Sequence, residues 1–180
     1  TGGQTGPVLE GFTVTGGSAR IGAGILIQHA SPTLRHLWVT GNTGDPGGVP
    51  GTVGGAGIYM DDSKAEIDSV VVHDNLIMTG ATAVSGGGIQ MVNASPVLTH
   101  VVVSWNIASC LEGTCQGGGI HMEGSVPEML GVVVSDNVAF CSDDAAGGGI
   151  YASGSSFELG QAAIVGNLAT AGSARGGGVY

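Results

Sequence analysis

The sequence predicts an all-β protein. It reads as a right-handed, single-stranded parallel β-helix, a solenoid of about five and a half coils of 29–33 residues with one variable loop per coil. Three observations predict it. The first is a glycine-rich tripeptide that recurs six times: Gly22-Ala23-Gly24, Gly55-Ala56-Gly57, Gly86-Gly87-Gly88, Gly117-Gly118-Gly119, Gly147-Gly148-Gly149 and Gly176-Gly177-Gly178. A branched apolar residue follows each copy (Ile25, Ile58, Ile89, Ile120, Ile150, Val179), at successive spacings of 33, 31, 31, 30 and 29. The second is an asparagine, at positions 42, 75, 106, 137 and 167, that follows the isoleucine by 17 residues in every repeat. The third is hydrophobic alternation of period two rather than 3.6 within that fixed body. A constant arc with all length variation after the asparagine is the pattern of a stacked repeat with insertions on one edge.

The chain opens part-way round a coil, since Pro7 to Gly17 aligns with Pro32 to Asn42 at an offset of 25. In each coil four rows are predicted to face inward. Two positions after the isoleucine stand Ile27, Met60, Met91, Met122 and Ala152; nine after it stand Leu34, Ile67, Leu98, Met129 and Leu159. Twelve and fourteen after it stand Leu37, Val70, Val101, Val132 and Ala162, then Val39, Val72, Val103, Val134 and Ile164. Turns at Ser31-Pro32, Ser95-Pro96 and Val126-Pro127 join these short β-branched runs. Asn42, Asn75, Asn106, Asn137 and Asn167 should stack as a ladder of side-chain amides. A helical reading fails, because three consecutive glycines would cost each helix about 3 kcal/mol.

Composition sets the function classes. Glycine supplies 36 of 180 residues, yet 42% of the chain is hydrophobic, so the glycines serve a repeated backbone geometry around a core rather than a disordered linker. The formal net charge is -10, and Arg20, Arg35, Lys64 and Arg175 are the whole basic complement. That excludes a nucleic-acid or anionic-lipid surface. No apolar run approaches the roughly 20 residues of a membrane-spanning helix, so direct membrane insertion is not expected. With no initiator methionine and no signal-peptide pattern, residues 1–180 read as one β-helix segment of a longer protein.

Several residue sets compete as sites. Glu128 and Glu158 share one repeat position in adjacent coils, the arrangement a glycosidase-like carboxylate pair requires, although a solvated acidic strip has the same pattern. Asp61, Asp62, Asp143 and Asp144 are hard-oxygen candidates for calcium, the one cofactor for which the sequence offers ligands; no EF-hand spacing is present. His36 and His100 share one repeat position but two coils apart, and His29, His73 and His121 occupy three others, so the five read as surface or turn residues and no transition-metal site is expected. Cys110, Cys115 and Cys141 fall in the variable-loop region, where any two could pair as a disulfide. Thirteen residues after the isoleucine, Trp38, Val71, Val102, Val133 and Ala163 should form an outward apolar stripe for another copy or a flanking domain. One residue after it, the row containing Tyr59, His121 and Tyr151 should form a second exposed face of a kind suited to glycans.

The segments Gly55-Ala56-Gly57-Ile58, Val72-His73-Asp74-Asn75 and Val103-Ser104-Trp105-Asn106, with their copies, resemble bacterial right-handed β-helix surface proteins, in particular the passenger repeats of chlamydial polymorphic outer-membrane proteins. In this chain Val or Ile stands where that family carries Phe, and Gly often stands for Ala. The resemblance implies export, a place at the cell surface, and adhesion. The expected function is therefore a non-catalytic structural or adhesive segment with a capacity to self-assemble, with a carbohydrate-binding or polysaccharide-cleaving module as the alternative. Expected partners are other copies, flanking domains, glycans or a neighbouring cell surface.

Overall fold

A computed structural model describes residues 6–44 and 51–180. The chain is a parallel β-helix, and among the described residues there are strands and turns but no helix. Each full coil contributes one strand to each of five parallel sheets. The second coil shows the order: Ile58–Asp61, Glu66–Asp68, Val71–His73, Leu76–Thr79 and Ala83–Ser85 belong to the first, second, third, fourth and fifth sheets. The second, third and fourth sheets have six strands, and the first and fifth have five. Equivalent residues pair without slippage, as in Ile58↔Ile89↔Ile120 and Val72↔Val103↔Val134.

Strands this short need sharp corners, and the corner residues have left-handed backbone. Between the second and third sheets these are His36, Ser69, His100, Gly131 and Gln161, with φ from 52 to 65°. Before each ladder asparagine they are Gly41, Asp74, Trp105, Asp136 and Gly166. Glycine, Asn and Asp tolerate this region best. His36 and His100 therefore hold turn positions, where His36 Nδ1 lies 3.3 Å from Glu10 and His100 Nδ1 lies 3.6 Å from Asp68.

The interior is divided in two. The larger lobe lies between the first, second and third sheets and holds the Ile, Leu, Met and Val rows at positions two, nine, twelve and fourteen. These rows are buried through the middle coils; in the last one Leu159 and Ala162 are exposed. The smaller lobe lies between the fourth and fifth sheets and is filled by small residues: Val53, Ala56, Ile77, Ala81, Val84, Ala108, Ala139, Ala145 and the three cysteines. What the sequence presents as a loop after each asparagine is thus mostly two further strands around a second core. Length varies at the connection between them, which is 80–82, 111–113, 141–143 and 171–172 in successive coils.

The waist between the lobes is built by the glycine triplet and the asparagine ladder. A Cβ on Gly88 would stand 2.8 Å from Asn106 Nδ2, and one on Gly87 would stand 2.7 Å from the Ile107 carbonyl carbon. Gly86 has φ of 60°. The three glycines therefore have separate causes: the first turns the chain and the other two let one wall touch the opposite one. Each asparagine Nδ2 donates to the Oδ1 of the next, at 2.9 Å for Asn42, 3.0 Å for Asn75 and Asn106, and 2.9 Å for Asn137. It donates also to a third-sheet carbonyl of the preceding coil, Val72 in the case of Asn106. The Oδ1 accepts the backbone N–H of the preceding asparagine as well. Buried amides satisfied in this way bind the walls together along the axis.

Candidate functional site

The stripe residues lie in one register on the third sheet, in the order Thr13, Trp38, Val71, Val102, Val133, Ala163. Their side chains alternate with the buried Val39, Val72, Val103 and Val134 and so face outward. Trp38 is 54% exposed and meets the His73 ring edge-on at 5.3 Å, while the valines beside it are half-buried by their neighbours. A second apolar row was not found from the sequence. On the fourth sheet Leu76, Ile107, Val138 and Leu168 pair in register and also face outward, with Met78 and Phe140 two residues on. Trp105, 61% exposed, stands at the corner between the two sheets.

The proposed glycan face needs correction. Tyr59, Gln90, His121 and Tyr151 do pair in one row, yet Gln90 and His121 are only 5% and 4% exposed, and both tyrosines are half-buried. The row lies in a re-entrant corner made by the positive-φ glycines, where the fifth sheet turns back beside the first. There a Cβ on Gly55 would come within 2.9 Å of Tyr59 Cβ. Alternation identifies the outer side of a strand, but it does not say whether that side is convex. The ring faces are also taken: His121 stacks on Tyr151 at 5.1 Å and Tyr151 on Tyr180 at 5.6 Å. Burial pushes the His121 pKa down to about 4, and its Nδ1 has no hydrogen-bond partner.

Glu128 and Glu158 are direct strand partners, and Val97 separates them from Glu66. They border a shallow cleft with Val126, Pro127, Ser156 and Phe157. The aspartates are mostly engaged locally. Asp62 lies 3.2 Å from His29 Nδ1, Asp144 lies 3.2 Å from Arg175, and Asp143 Oδ2 accepts the Gly113 N–H at 2.8 Å. Asp61 is half-buried at the end of its strand.

The cysteines, in and beside the variable connection, face the interior of the smaller lobe, and all three are free thiols. Cys110 ends the strand Ile107–Cys110, Cys115 is the middle residue of Thr114–Gln116, and Cys141 follows Val138–Phe140 in the next coil. Their Sγ atoms all lie within 4.8 Å of one another, the one such convergence of three metal-ligating side chains among the described residues. A hydrogen bond from the Cys115 thiol holds the Cys110 thiol below its ordinary range. Cys115, which donates to Cys110, is pushed up, and burial raises Cys141. The signal was present in the sequence: Cys110 and Cys141 each stand four residues after a ladder asparagine.

With the fold and these surfaces defined, the chain is a parallel β-solenoid repeat protein. Comparison with family models, curated proteins and solved structures returned no match.

Proposed function

We propose that the chain is a non-catalytic structural or adhesive segment of a large exported protein, of the bacterial cell-surface β-helix kind that its Gly-Gly-Ala/Gly-Ile and Val/Ile-x-x-Asn repeats resemble. Its partners are other copies, flanking domains of the same protein, or the surface of a neighbouring cell. The observation that carries this reading is the apolar side wall. Trp38, Val71, Val102 and Val133 form one outward row and Leu76, Ile107, Val138 and Leu168 another on the next sheet, with the row of Thr40, His73, Ser104 and Ser135 and the Trp105 corner between them. Exposed apolar rows that repeat along one side of a solenoid are the kind of surface that packs against a partner. Trp105 adds to it from a left-handed corner with φ of 57°, a conformation that costs a non-glycine residue about 1–2 kcal/mol.

Light scattering over a concentration series, with and without calcium, tests this reading. The expected result is a molar mass that rises with concentration, and a Trp38→Glu, Ile107→Glu double variant that stays at one chain with an unchanged β-sheet spectrum. A wild-type mass fixed at one chain throughout would remove the self-association reading.

The cleft beside Glu128 and Glu158 favours a second reading, a carbohydrate-binding or polysaccharide-cleaving module. Cleavage of an acidic polysaccharide that disappears in Glu128→Gln would replace the first reading with this one.

A further inference from the structure

We propose that Cys110, Cys115 and Cys141 form a buried site for one thiophilic d10 metal ion, Zn(II) or Cu(I), that rivets two consecutive coils together in the smaller lobe. The argument starts from where the thiols come from. They lie on two strands of one coil and just beyond a strand of the next, yet their three sulfurs meet within 4.8 Å. These are all the cysteines in the chain, in a lobe otherwise lined by Ala, Val and Ile. A single buried cysteine is a small hydrophobe. Three of them converging from separate places place soft donors around one point.

The dimensions fit. A metal–sulfur distance of about 2.3 Å separates sulfurs in a three-coordinate site by about 4 Å. No histidine or carboxylate joins the group, so hard cations such as Ca²⁺ and Mg²⁺, which want several oxygens, are poorly served. The Cys141 thiol donates to the carbonyl oxygens of Asp144 at 2.9 Å and Gly113 at 3.4 Å. These oxygens lie beside one of the three sulfurs, so zinc would take its fourth ligand from a carbonyl or water on that side, whereas Cu(I) needs none.

Access also suits capture. Cys110 borders a surface groove with Met78, Thr79, Gly80, Ser109 and Leu111, and the exposed Met78 sets a soft thioether at its rim. Binding replaces S–H bonds by metal–sulfur bonds and releases up to three protons to solvent, so affinity falls as pH falls. The bound ion would also protect the thiols from pairing as a disulfide.

The test uses the whole chain, reduced and handled without oxygen. Thiol titration in denaturant should count three. Zn(II) and Cu(I), each added in competition with a chromophoric chelator, should bind at one equivalent with a sulfur-to-metal charge-transfer band, and the tighter of the two identifies the ion. The bound ion should shield all three thiols from alkylation. Cys110→Ser, Cys115→Ser and Cys141→Ser should each weaken binding by ~100-fold or more. The proposal is overturned if the isolated chain shows one thiol and a mass two hydrogens short, which would mean a resident disulfide. It is equally overturned if the serine variants bind as well as wild type, which would assign the metal to surface groups such as His29 and Asp62. If a serine variant fails to fold, absence of wild-type thiol protection by either ion also overturns it.

Discussion

Asn106→Ala tests the ladder at its centre. Asn106 is fully buried, and its side chain makes four hydrogen bonds: Nδ2 donates to Val72 O at 2.9 Å and to Asn137 Oδ1 at 3.0 Å, while Oδ1 accepts from Asn75 N at 3.1 Å and Asn75 Nδ2 at 3.0 Å. Alanine leaves these partners unequal. Asn137 Oδ1 keeps the Asn106 backbone N–H, and Asn75 Nδ2 keeps the Val39 carbonyl. The Asn75 backbone N–H loses the acceptor it has, deep in the waist where water does not reach. One orphaned buried donor costs about 1–3 kcal/mol, and the three remaining bonds contribute about 1 kcal/mol each, so a loss of about 4–6 kcal/mol is expected. That is a large share of the 5–15 kcal/mol typical of a domain, to within the order of magnitude. Equilibrium denaturation followed by both circular dichroism and tryptophan fluorescence measures it, and coincident curves are required because repeat arrays can unfold in parts. Asn167→Ala, at a half-buried position, should lose clearly less. An Asn106→Ala midpoint equal to that of wild type would refute the claim that the ladder holds the two walls together.

Three further outcomes follow from the geometry. Gly88→Ala, whose new methyl would stand 2.8 Å from Asn106 Nδ2 and 2.9 Å from Val103 Cγ1, should cost about 1–3 kcal/mol in denaturant titration. Gly80→Ala, with nothing within 4 Å and no positive φ, should be neutral or stabilising by up to about 1 kcal/mol. His121 has a native pKa depressed from 6.5 to about 4, so the unfolded chain binds the extra proton between those values. Its contribution is therefore complete above pH 6.5 and is lost as pH falls toward 4, a loss of about 3 kcal/mol that His121→Gln should abolish in paired denaturation curves.

The larger lobe was legible because its rows repeat one chemistry at one spacing. Ile58, Met60, Ile67, Val70 and Val72 and their equivalents mark a 17-residue arc that admits no insertion. The fourth and fifth sheets were not legible as strands. Their runs are two to four residues long and use Ala, Gly, Ser and Thr as often as Val, as in Thr43–Gly44 and Asp144–Ala146. Counting from the isoleucine also loses register across a connection of changing length. Counting forward from the asparagine restores it, and puts Cys110 over Cys141 and Ile107 over Val138. The row of Tyr59, Gln90 and His121 was assigned the correct side of its strand and the wrong exposure, since the depth of an outer corner depends on the turn at Gly86 and Gly117 and not on alternation.

The waist explains why variation is confined to one side. The distance from asparagine to the next isoleucine or valine falls through 16, 14, 14, 13 and 12 residues along the chain, while the distance from isoleucine to asparagine stays at 17. Gly87 and Gly88 meet Asn106 and Ile107 across the interior, so the large arc closes on itself before the small one begins. A residue lost between the fourth and fifth sheets therefore shortens a corner of the smaller lobe without shifting the register of Met91 on Met122 or Val103 on Val134. The first three sheets are held to a fixed geometry by their packing. The smaller lobe is free to differ from coil to coil, and it is there that the thiol cluster and the Leu76, Ile107, Val138 and Leu168 half of the apolar wall are found. A deletion within 80–82 should consequently be tolerated where one within 62–65 is not, because the latter breaks the closed arc.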